Sequence, residues 1–297
     1  MRPCPICKST NEDAVIFQEE NIDPKLLSEF SFASRKAPEF MCHLLLKCKN
    51  CDLVYASTPP AKAELAHSYH VAQYDSSEEA NDAAASYIDA MRPLLNKLEN
   101  KARVLEIGAG TGILLEYLRR EGFKEFVGVE PSTAAIAAAP KERQEWLEER
   151  IFEEKNYKPC SFQLICCFMT MEHVYDPEEV ARAAYNLLTP GGVFVTVTHD
   201  YRSTVNKLLG KRSPIIDIEH MQLFSRKSIS RLFQNIGFVD IENNAFKNKY
   251  SLRYWLRLAP LPESIKVVFL SAINKLGLAE SKIAINVGNM ITYGTKN

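Results

Sequence analysis

A glycine-rich turn is the part of this chain whose residues could hold a nucleotide-like ligand. Residues 104–107 are typical of a buried strand, glycine stands at positions 108, 110 and 112, and residues 113–118 have the apolar spacing of a helix. Glycine tolerates positive φ and lets a ligand approach the backbone closely. The start of a helix offers unpaired N–H groups. The sequence therefore predicts a strand, a tight turn and a helix that bind polar ligand groups.

The spacing of the glycines decides between classes of nucleotide. The dinucleotide fingerprint requires a glycine at position 113, where this chain has Ile113. The next predicted strand ends at Glu130, eighteen residues after Gly112, where an acidic residue can accept hydrogen bonds from ribose hydroxyls. A glycine turn without a ligand is the competing interpretation, and the presence of two linked motifs disfavours it.

Both motifs resemble those of class I S-adenosylmethionine-dependent methyltransferases. Residues 104–112 are similar to the first motif of that family, and residues 128–132 are similar to the second. The resemblance implies a doubly wound, Rossmann-like α/β sheet and S-adenosylmethionine as cofactor. It also implies the following cofactor-binding residues: Glu106, Gly108, Ala109, Gly110, Gly112, Glu130, Pro131 and Met171.

Four of the eight cysteines form two close pairs, Cys4 with Cys7 and Cys48 with Cys51. Two such pairs can supply the four thiolates of a tetrahedral zinc site. Disulfide bonds are the alternative. Because the first residues do not resemble a signal peptide, we expect a reducing, cytoplasmic environment, which favours zinc. Forty residues separate the two pairs, so the chain between them must form an insertion of its own.

Three histidines, His173, His199 and His220, follow predicted strand ends, where open α/β sheets bind ligands. Imidazole ordinarily titrates near neutrality, which suits a general base that takes a proton from an acceptor hydroxyl. Our first candidate is His220, with Glu219 as an orienting carboxylate, and our second is His173 with Glu172. For each of them, a loop histidine held by hydrogen bonds is the alternative interpretation.

The chain around the fourth strand of the sheet resembles the O-methyltransferases of quinone biosynthesis. In that family Glu-His follows the fourth strand, as at residues 172–173 here, and Pro-Gly-Gly precedes the fifth, as at 190–192. Residues 218–225 resemble zinc-ribbon methyltransferases of sugar and polysaccharide clusters, but Asp217 stands where their C-methylating members have a tyrosine. We therefore expect O-methylation of a small-molecule hydroxyl, on a sugar, a glycan precursor or a related metabolite. C-methylation of a nucleotide-sugar is the alternative.

The predicted site requires strand ends to meet at one edge of a sheet, and alternating β and α patterns run through the second half of the chain. The third strand is poorly marked, with residues 145–147 or 150–152 as candidates. We expect a zinc-binding module at residues 1–60 and a helical segment at 61–100 that covers the cofactor, with Tyr74 as a possible lining residue. A methyltransferase domain then spans residues 101–297, with a helical insertion near 247–287.

The composition of the 297 residues, with 46% hydrophobic and 25% charged residues and a formal net charge of −1, is that of an ordinary globular protein. No apolar run is long enough to predict a membrane span. Residues 201–260 contain eleven Lys and Arg against four Asp and Glu, which suits either an anionic acceptor or a solvated surface. The cysteine module lacks interleaved basic and aromatic residues, which disfavours nucleic acid as a partner.

The insertion near 247–287 has apolar stretches around Trp255 and at residues 267–270. It is expected to be a lid over the acceptor, a face of a homodimer or a membrane-surface helix, in that order. Two other functions remain as alternatives, an RNA methyltransferase and a non-catalytic partner protein that binds the cofactor. Salt-dependent binding of RNA would favour the first of these.

Overall fold

Strands and helices alternate along most of the computed structural model, which describes residues 1–28, 31–32, 39–72, 77–259 and 261–297. The strands are β1 (Ala14–Gln18), β2 (Leu45–Cys48), β3 (Val54–Ala56), β4 (Arg103–Ile107), β5 (Glu125–Glu130), β6 (Leu147–Glu149), β7 (Phe162–Phe168), β8 (Leu188–His199), β9 (Gln222–Leu223), β10 (Val239–Ala245), β11 (Asn248–Ser251), β12 (Lys282–Ile285) and β13 (Asn289–Thr295). The helices are α1 (Lys62–Val71), α2 (Ser77–Lys97), α3 (Ile113–Arg120), α4 (Thr133–Ala138), α5 (Lys141–Gln144), α6 (Pro177–Leu187), α7 (Thr204–Leu209), α8 (Arg226–Ile236), α9 (Leu252–Leu258) and α10 (Glu263–Lys275).

A seven-stranded sheet in the order β10-β13-β8-β7-β4-β5-β6 forms the centre of the fold. The five strands from β8 to β6 are parallel, and β13 runs antiparallel to both of its neighbours. The chain moves outward from β4 through β5 to β6, then returns to the other side of β4 with β7 and β8. This reversal is a topological switch point, where open α/β sheets bind ligands. The predicted doubly wound α/β sheet is confirmed.

Helices cover both faces of this sheet because successive side chains of a strand point to opposite sides. Cys166 packs in the core that includes α2 and α3, and the next residue, Cys167, packs in the core that includes α6 and α8. Burial raises the pKa of both thiols, so these two cysteines behave as small apolar residues of the core.

A second, antiparallel sheet has the order β1-β2-β3-β9 and includes the strands around the second cysteine pair. Its last strand, β9, comes from the distant part of the chain that follows α7. Further hydrogen bonds join the N-terminal segment to the second half of the chain. Asn235 donates to the backbone oxygen of Ile6 at 3.0 Å, and Tyr201 donates to that of Asp52 at 3.1 Å. The cysteine-bearing segment and the large sheet therefore share one core rather than forming separate bodies.

The insertion contains the helices α9 and α10 that the sequence predicts, and an antiparallel strand pair, β11 with β12, that it does not. The insertion packs on α2, where the backbone N–H of Lys249 donates to the Ser86 hydroxyl at 3.0 Å. The third strand of the large sheet, β6, begins at the last residue of the first stretch proposed for it, 145–147, and ends directly before the second, 150–152. Within the described residues, each helix is too short or too polar to cross a bilayer.

Candidate active site

The glycine turn between β4 and α3 has the backbone geometry that its sequence requires. Gly108, Gly110 and Gly112 all have positive φ, at 77°, 53° and 67°. A Cβ at position 108 would lie 2.2 Å from Oγ1 of Thr170, so glycine is needed there for packing. A Cβ at position 110 would meet nothing within 4 Å, and this glycine borders an open cavity. The turn can therefore bring backbone N–H groups against a ligand.

Glu130, at the end of β5, organises this turn through its carboxylate. Its Oε2 accepts a hydrogen bond from the backbone N–H of Gly110, and its Oε1 accepts one from that of Ser132, both at 2.8 Å. Burial raises the pKa of Glu130, and the two backbone hydrogen bonds oppose that rise. The carboxylate lines the cavity, so its remaining lone pairs are available to hydroxyl groups of a ligand.

A single cavity of about 710 Å³ extends from the glycine turn along the carboxyl ends of the parallel strands. Helices α1 and α2 and the insertion also contribute to its walls. Seven of its lining residues are acidic, and Lys62 is the one lysine or arginine among the lining residues that the structure describes. Lys62 is itself paired with Glu179 at 2.7 Å. This excess of acidic side chains makes the cavity less suited to an anionic group than to a neutral or cationic one.

Three histidines meet in the wall of this cavity, where His173 follows β7 and His199 ends β8. The ring centroids of His173 and His220 are 4.8 Å apart, and those of His199 and His220 are 5.6 Å apart. All three line the cavity. Nδ1 of His220 lies 2.9 Å from the backbone oxygen of Ile215, which can only accept a hydrogen bond. In the neutral ring the proton is therefore on Nδ1, and Nε2 keeps its lone pair.

The carboxylates around these histidines make contacts beyond their sequence neighbours. Oε2 of Glu219 lies 3.8 Å from Nδ1 of His173, and a possible ligand atom of Glu219 is also within 4.8 Å of one of His220. One oxygen of the fully buried Glu172 accepts the backbone N–H of His199 at 2.7 Å and lies 3.3 Å from its Nδ1. The sequence did not predict the contacts of Glu219 with His173 and of Glu172 with His199. The predicted pairings, Glu219 with His220 and Glu172 with His173, stay predictions.

Tyr69, from α1, connects the cover of the cavity to the histidine cluster. Its hydroxyl oxygen lies 3.0 Å from Nδ1 of His173, and the hydroxyl donates to the backbone oxygen of Glu219 at 3.1 Å. Burial, together with the neighbouring His220, lowers the pKa of His173 to about 3. His173 is therefore a neutral hydrogen-bonding group at physiological pH. The possible ligand atoms of His173, Glu219 and His220 also lie within 4.8 Å of one another.

The four paired cysteines converge at the base of the small sheet. Sγ of Cys4 is 3.4 Å from Sγ of Cys51, and Sγ of Cys7 is 3.5 Å from Sγ of Cys48. None of the four is in a disulfide, and all four sulfurs lie within 4.8 Å of one another. Sulfur atoms about 3.8 Å apart are what a tetrahedral site with Zn–S bonds of about 2.3 Å requires. The hydrogen bond with Cys51 and the nearby backbone N–H groups lower the pKa of Cys4, which favours a thiolate.

Comparison with known families agrees with this geometry. Residues 77–243 match the family model described as a methyltransferase domain, which is more than half of the chain. The chain belongs to this methyltransferase family. The resemblance to class I S-adenosylmethionine-dependent methyltransferases that the two motifs carry is thereby confirmed.

The methyltransferase has curated relatives of known pathway. The ubiquinone biosynthesis O-methyltransferases of Yersinia pestis and Yersinia pseudotuberculosis are 29% identical over 145 residues, which is 46% of this chain and 60% of theirs. Among solved structures, a Bacillus halodurans protein assigned as a methyltransferase has a TM-score of 0.50 at 14% identity, covering 70% of this chain and 98% of its own. A methyltransferase from Archaeoglobus fulgidus has a TM-score of 0.46 at 16% identity, covering 72% and 94%. These structural likenesses concern the fold alone.

Most of the predicted cofactor residues of the methyltransferase line the cavity, namely Glu106, Gly108, Ala109, Gly110, Glu130 and Pro131. Two do not. Gly112 stands at the start of α3, and Met171 is fully buried in the core. Met171 is corrected because the chain turns after β7, so that Met169 and Thr170 face the cavity instead. Tyr74 lies outside the residues that the structure describes.

Several lining residues were missed in the sequence. Ile151 and Phe152, which follow β6, line the cavity at the strand end next to that of β5. Tyr69 was missed because a tyrosine in a polar helix carries no motif. His199 was one of the three histidines that the sequence placed at strand ends, but it was not a first or second candidate for the general base. Its place at the end of β8, beside the carboxylate of Glu172, is the feature that favours it.

Proposed function

We propose that this methyltransferase transfers the methyl group of S-adenosylmethionine to a hydroxyl group of a small, uncharged acceptor. A sugar, a glycan precursor or a related hydroxylated metabolite is the class of acceptor that we favour. The observation that carries the proposal is the cluster of His173, His199 and His220 in the wall of the same cavity that the glycine turn lines. The names of the curated relatives, which are O-methyltransferases, support the same reaction type.

In the proposed site Glu130 binds the ribose hydroxyls and the backbone at Gly108 to Gly110 borders the rest of the cofactor. Ile151 and Phe152 are suited to the adenine ring, because their side chains offer apolar surface at the next strand end. When bound, S-adenosylmethionine supplies an electrophilic methyl group on a sulfonium. The protein then has to hold the acceptor oxygen in line with the methyl carbon, and this positioning supplies much of the rate.

We assign the general base to His220. Its Nδ1 lies 2.9 Å from the backbone oxygen of Ile215, which orients the ring, and Nε2 is the nitrogen that would take the acceptor proton. S-adenosylmethionine would supply the methyl group to the acceptor oxygen and would depart as the neutral thioether S-adenosylhomocysteine. His173 and Tyr69 keep the ring of His220 packed in place, and Glu172 with His199 forms a second, neighbouring pair.

We also propose that Cys4, Cys7, Cys48 and Cys51 bind one structural zinc ion. The support is the closeness of the four sulfurs and the absence of a disulfide among them. With all four positions taken by thiolates, such an ion has no open coordination site for an acceptor. Its role would be to hold the turns of the small sheet together.

Transfer of an isotope-labelled methyl group tests the proposed reaction. Purified protein is incubated with methyl-labelled S-adenosylmethionine and, in separate reactions, with fractionated metabolites or with total RNA, and the NMR shift of the labelled carbon identifies the atom that receives it. We expect a labelled methyl ether. A methyl group on carbon would favour the C-methyltransferase alternative instead, and label in RNA would favour nucleic acid. Cofactor binding without label transfer to any fraction would favour the non-catalytic alternative.

A further inference from the structure

The outer stripe of α10 is apolar and exposed to solvent. Ile265, Val268, Phe269 and Leu276 recur at helical spacing, and their exposed fractions are 41%, 68%, 53% and 71%. A helix whose apolar stripe faces water instead of the core ordinarily marks an interaction surface.

One neighbouring side of α10 is covered. Lys266, Leu270 and Ile273 lie about a quarter turn from the stripe and are only partly exposed, so this side lies against the rest of the insertion. Val267, on the side opposite the stripe, is 60% exposed. The connected strand β12 adds Ile283 and Ile285, which are 42% and 39% exposed. Together, Ile265, Val268, Phe269, Leu276, Ile283 and Ile285 are called the apolar surface below.

The insertion that carries the apolar surface is strongly basic. Residues 247–287 contain seven Lys and Arg but only two acidic residues. Of these bases, Arg253 pairs with Glu280 inside the insertion, while Arg257 and Lys282 pair with Glu79 and Asp82 of α2. Lys275 is exposed in the last turn of α10 itself. The segment by itself has a formal excess of five positive charges, and the two α2 carboxylates offset part of it.

The same insertion forms part of the wall of the active-site cavity. Trp255 and Leu258 of α9 line it, and Ile285 belongs both to the cavity wall and to the apolar surface. Whatever covers the apolar surface therefore lies beside an opening of the cavity.

We propose that the apolar surface docks this methyltransferase on an anionic lipid bilayer. Exposed apolar side chains next to an excess of Lys and Arg are the combination that holds peripheral helices at the interface of anionic membranes. A second copy of the chain is a poorer fit, because a two-fold contact would place the same basic segment against itself. Docking in this way would let acceptors that are dissolved in or attached to the membrane reach the cavity. It concerns where the enzyme works and does not depend on which atom is methylated.

Vesicle flotation tests this proposal with the full chain. The protein is floated with vesicles of phosphatidylcholine alone and with vesicles that also contain phosphatidylglycerol, at low and at high salt. We expect binding to the anionic vesicles that weakens as salt is raised. The variant Val268→Asp with Phe269→Asp should bind them about tenfold less tightly or worse, because two exposed apolar side chains that would enter the bilayer become charged. The control Ile16→Asp changes a similarly exposed apolar residue, at 58%, on β1 and should bind as the wild type does.

Two results would overturn the proposal. One is flotation that is no greater with phosphatidylglycerol than without it, and the other is undiminished flotation of the double variant. If light scattering then shows a dimer that the double variant dissociates, the apolar surface is an interface between copies of the chain. Calorimetry with S-adenosylmethionine should give wild-type affinity for both variants, which shows that they are folded and separates this test from that of the proposed reaction.

Discussion

Replacing Glu130 by alanine should weaken the binding of S-adenosylmethionine by a predictable amount. The wild-type carboxylate is held by the N–H groups of Gly110 and Ser132, both at 2.8 Å, and presents its other lone pairs to the cavity. Each hydrogen bond from a ribose hydroxyl to a charged carboxylate contributes about 1.5 to 3 kcal/mol. The loss of one such bond therefore lowers affinity by about 10-fold to about 150-fold, and the loss of both lowers it further. In Glu130→Ala the backbone N–H groups of Gly110 and Ser132 also lose their acceptor, which destabilises the glycine turn.

Isothermal titration calorimetry with S-adenosylmethionine and S-adenosylhomocysteine measures this loss. Glu149→Ala is a matched control, because Glu149 is the register partner of Glu130 on β6 but is exposed outside the cavity, so its affinity should stay at the wild-type value. Glu130→Gln keeps the size of the side chain if the alanine variant folds poorly, and should also bind weakly. Burial raises the pKa of Glu130, so this carboxylate takes up a proton at a higher pH than an ordinary carboxylate does. As the solution is acidified, the affinity of the wild-type protein for the cofactor should therefore begin to fall at that higher pH. Wild-type affinity in a folded Glu130→Ala protein would refute the assignment.

Three further predictions concern the metal, the histidine cluster and the glycine turn. Elemental analysis should find one zinc ion per chain in the wild-type protein. The ion should be lost in Cys48→Ser and kept in the control Cys160→Ser, which changes an exposed cysteine outside the proposed site. A folded wild-type protein without zinc would contradict this. Between about pH 6.5 and about pH 5, the wild-type free energy of unfolding should fall by about 1.5 kcal/mol more than that of His173→Gln in urea titrations. Stability falls on acidification because the pKa of His173 is lowered to about 3 in the folded protein, so the unfolded chain binds a proton that the folded chain does not. An equal loss of unfolding free energy in the wild type and the variant would refute this prediction. Gly108→Ala should lower both thermal stability and cofactor affinity, since its Cβ would collide with Thr170, and an unchanged melting temperature would contradict that reason.

Much of the fold could be predicted because its signals are local. The order of the sheet follows from apolar runs such as β7 and from the glycine turn, and the N-cap at Ser225 and the C-cap at Gly237 of α8 were readable from residue type. The strand pair β11 with β12 was not, because its residues are polar or mixed and its pairing joins segments about thirty residues apart. β6 has only three residues, and the sequence located it only to within a few positions.

The candidate site could be predicted only as a set of residue types. Sequence adjacency suggests that Glu219 orients His220 and that Glu172 orients His173, but adjacency alone does not show which other ring each carboxylate reaches. In the fold, Glu172 reaches His199 across the neighbouring strand ends, because β7 and β8 are parallel and their carboxyl ends lie side by side. Contacts of this kind depend on the register between strands, which no local pattern encodes.

The central claim is that His220 takes the proton of a hydroxyl acceptor, and single-turnover rates of methyl transfer test it most directly. The acceptor identified by label transfer is mixed with a preformed complex of cofactor and either wild-type, His220→Ala or His220→Asn protein. We predict that both variants bind the cofactor normally and transfer the methyl group about 10²-fold to about 10⁴-fold more slowly, because neither side chain can accept the proton. Asparagine can still donate to the backbone oxygen of Ile215, as Nδ1 of His220 does at 2.9 Å. A near-wild-type rate in His220→Asn would show that His220 only braces its loop, and would contradict the account.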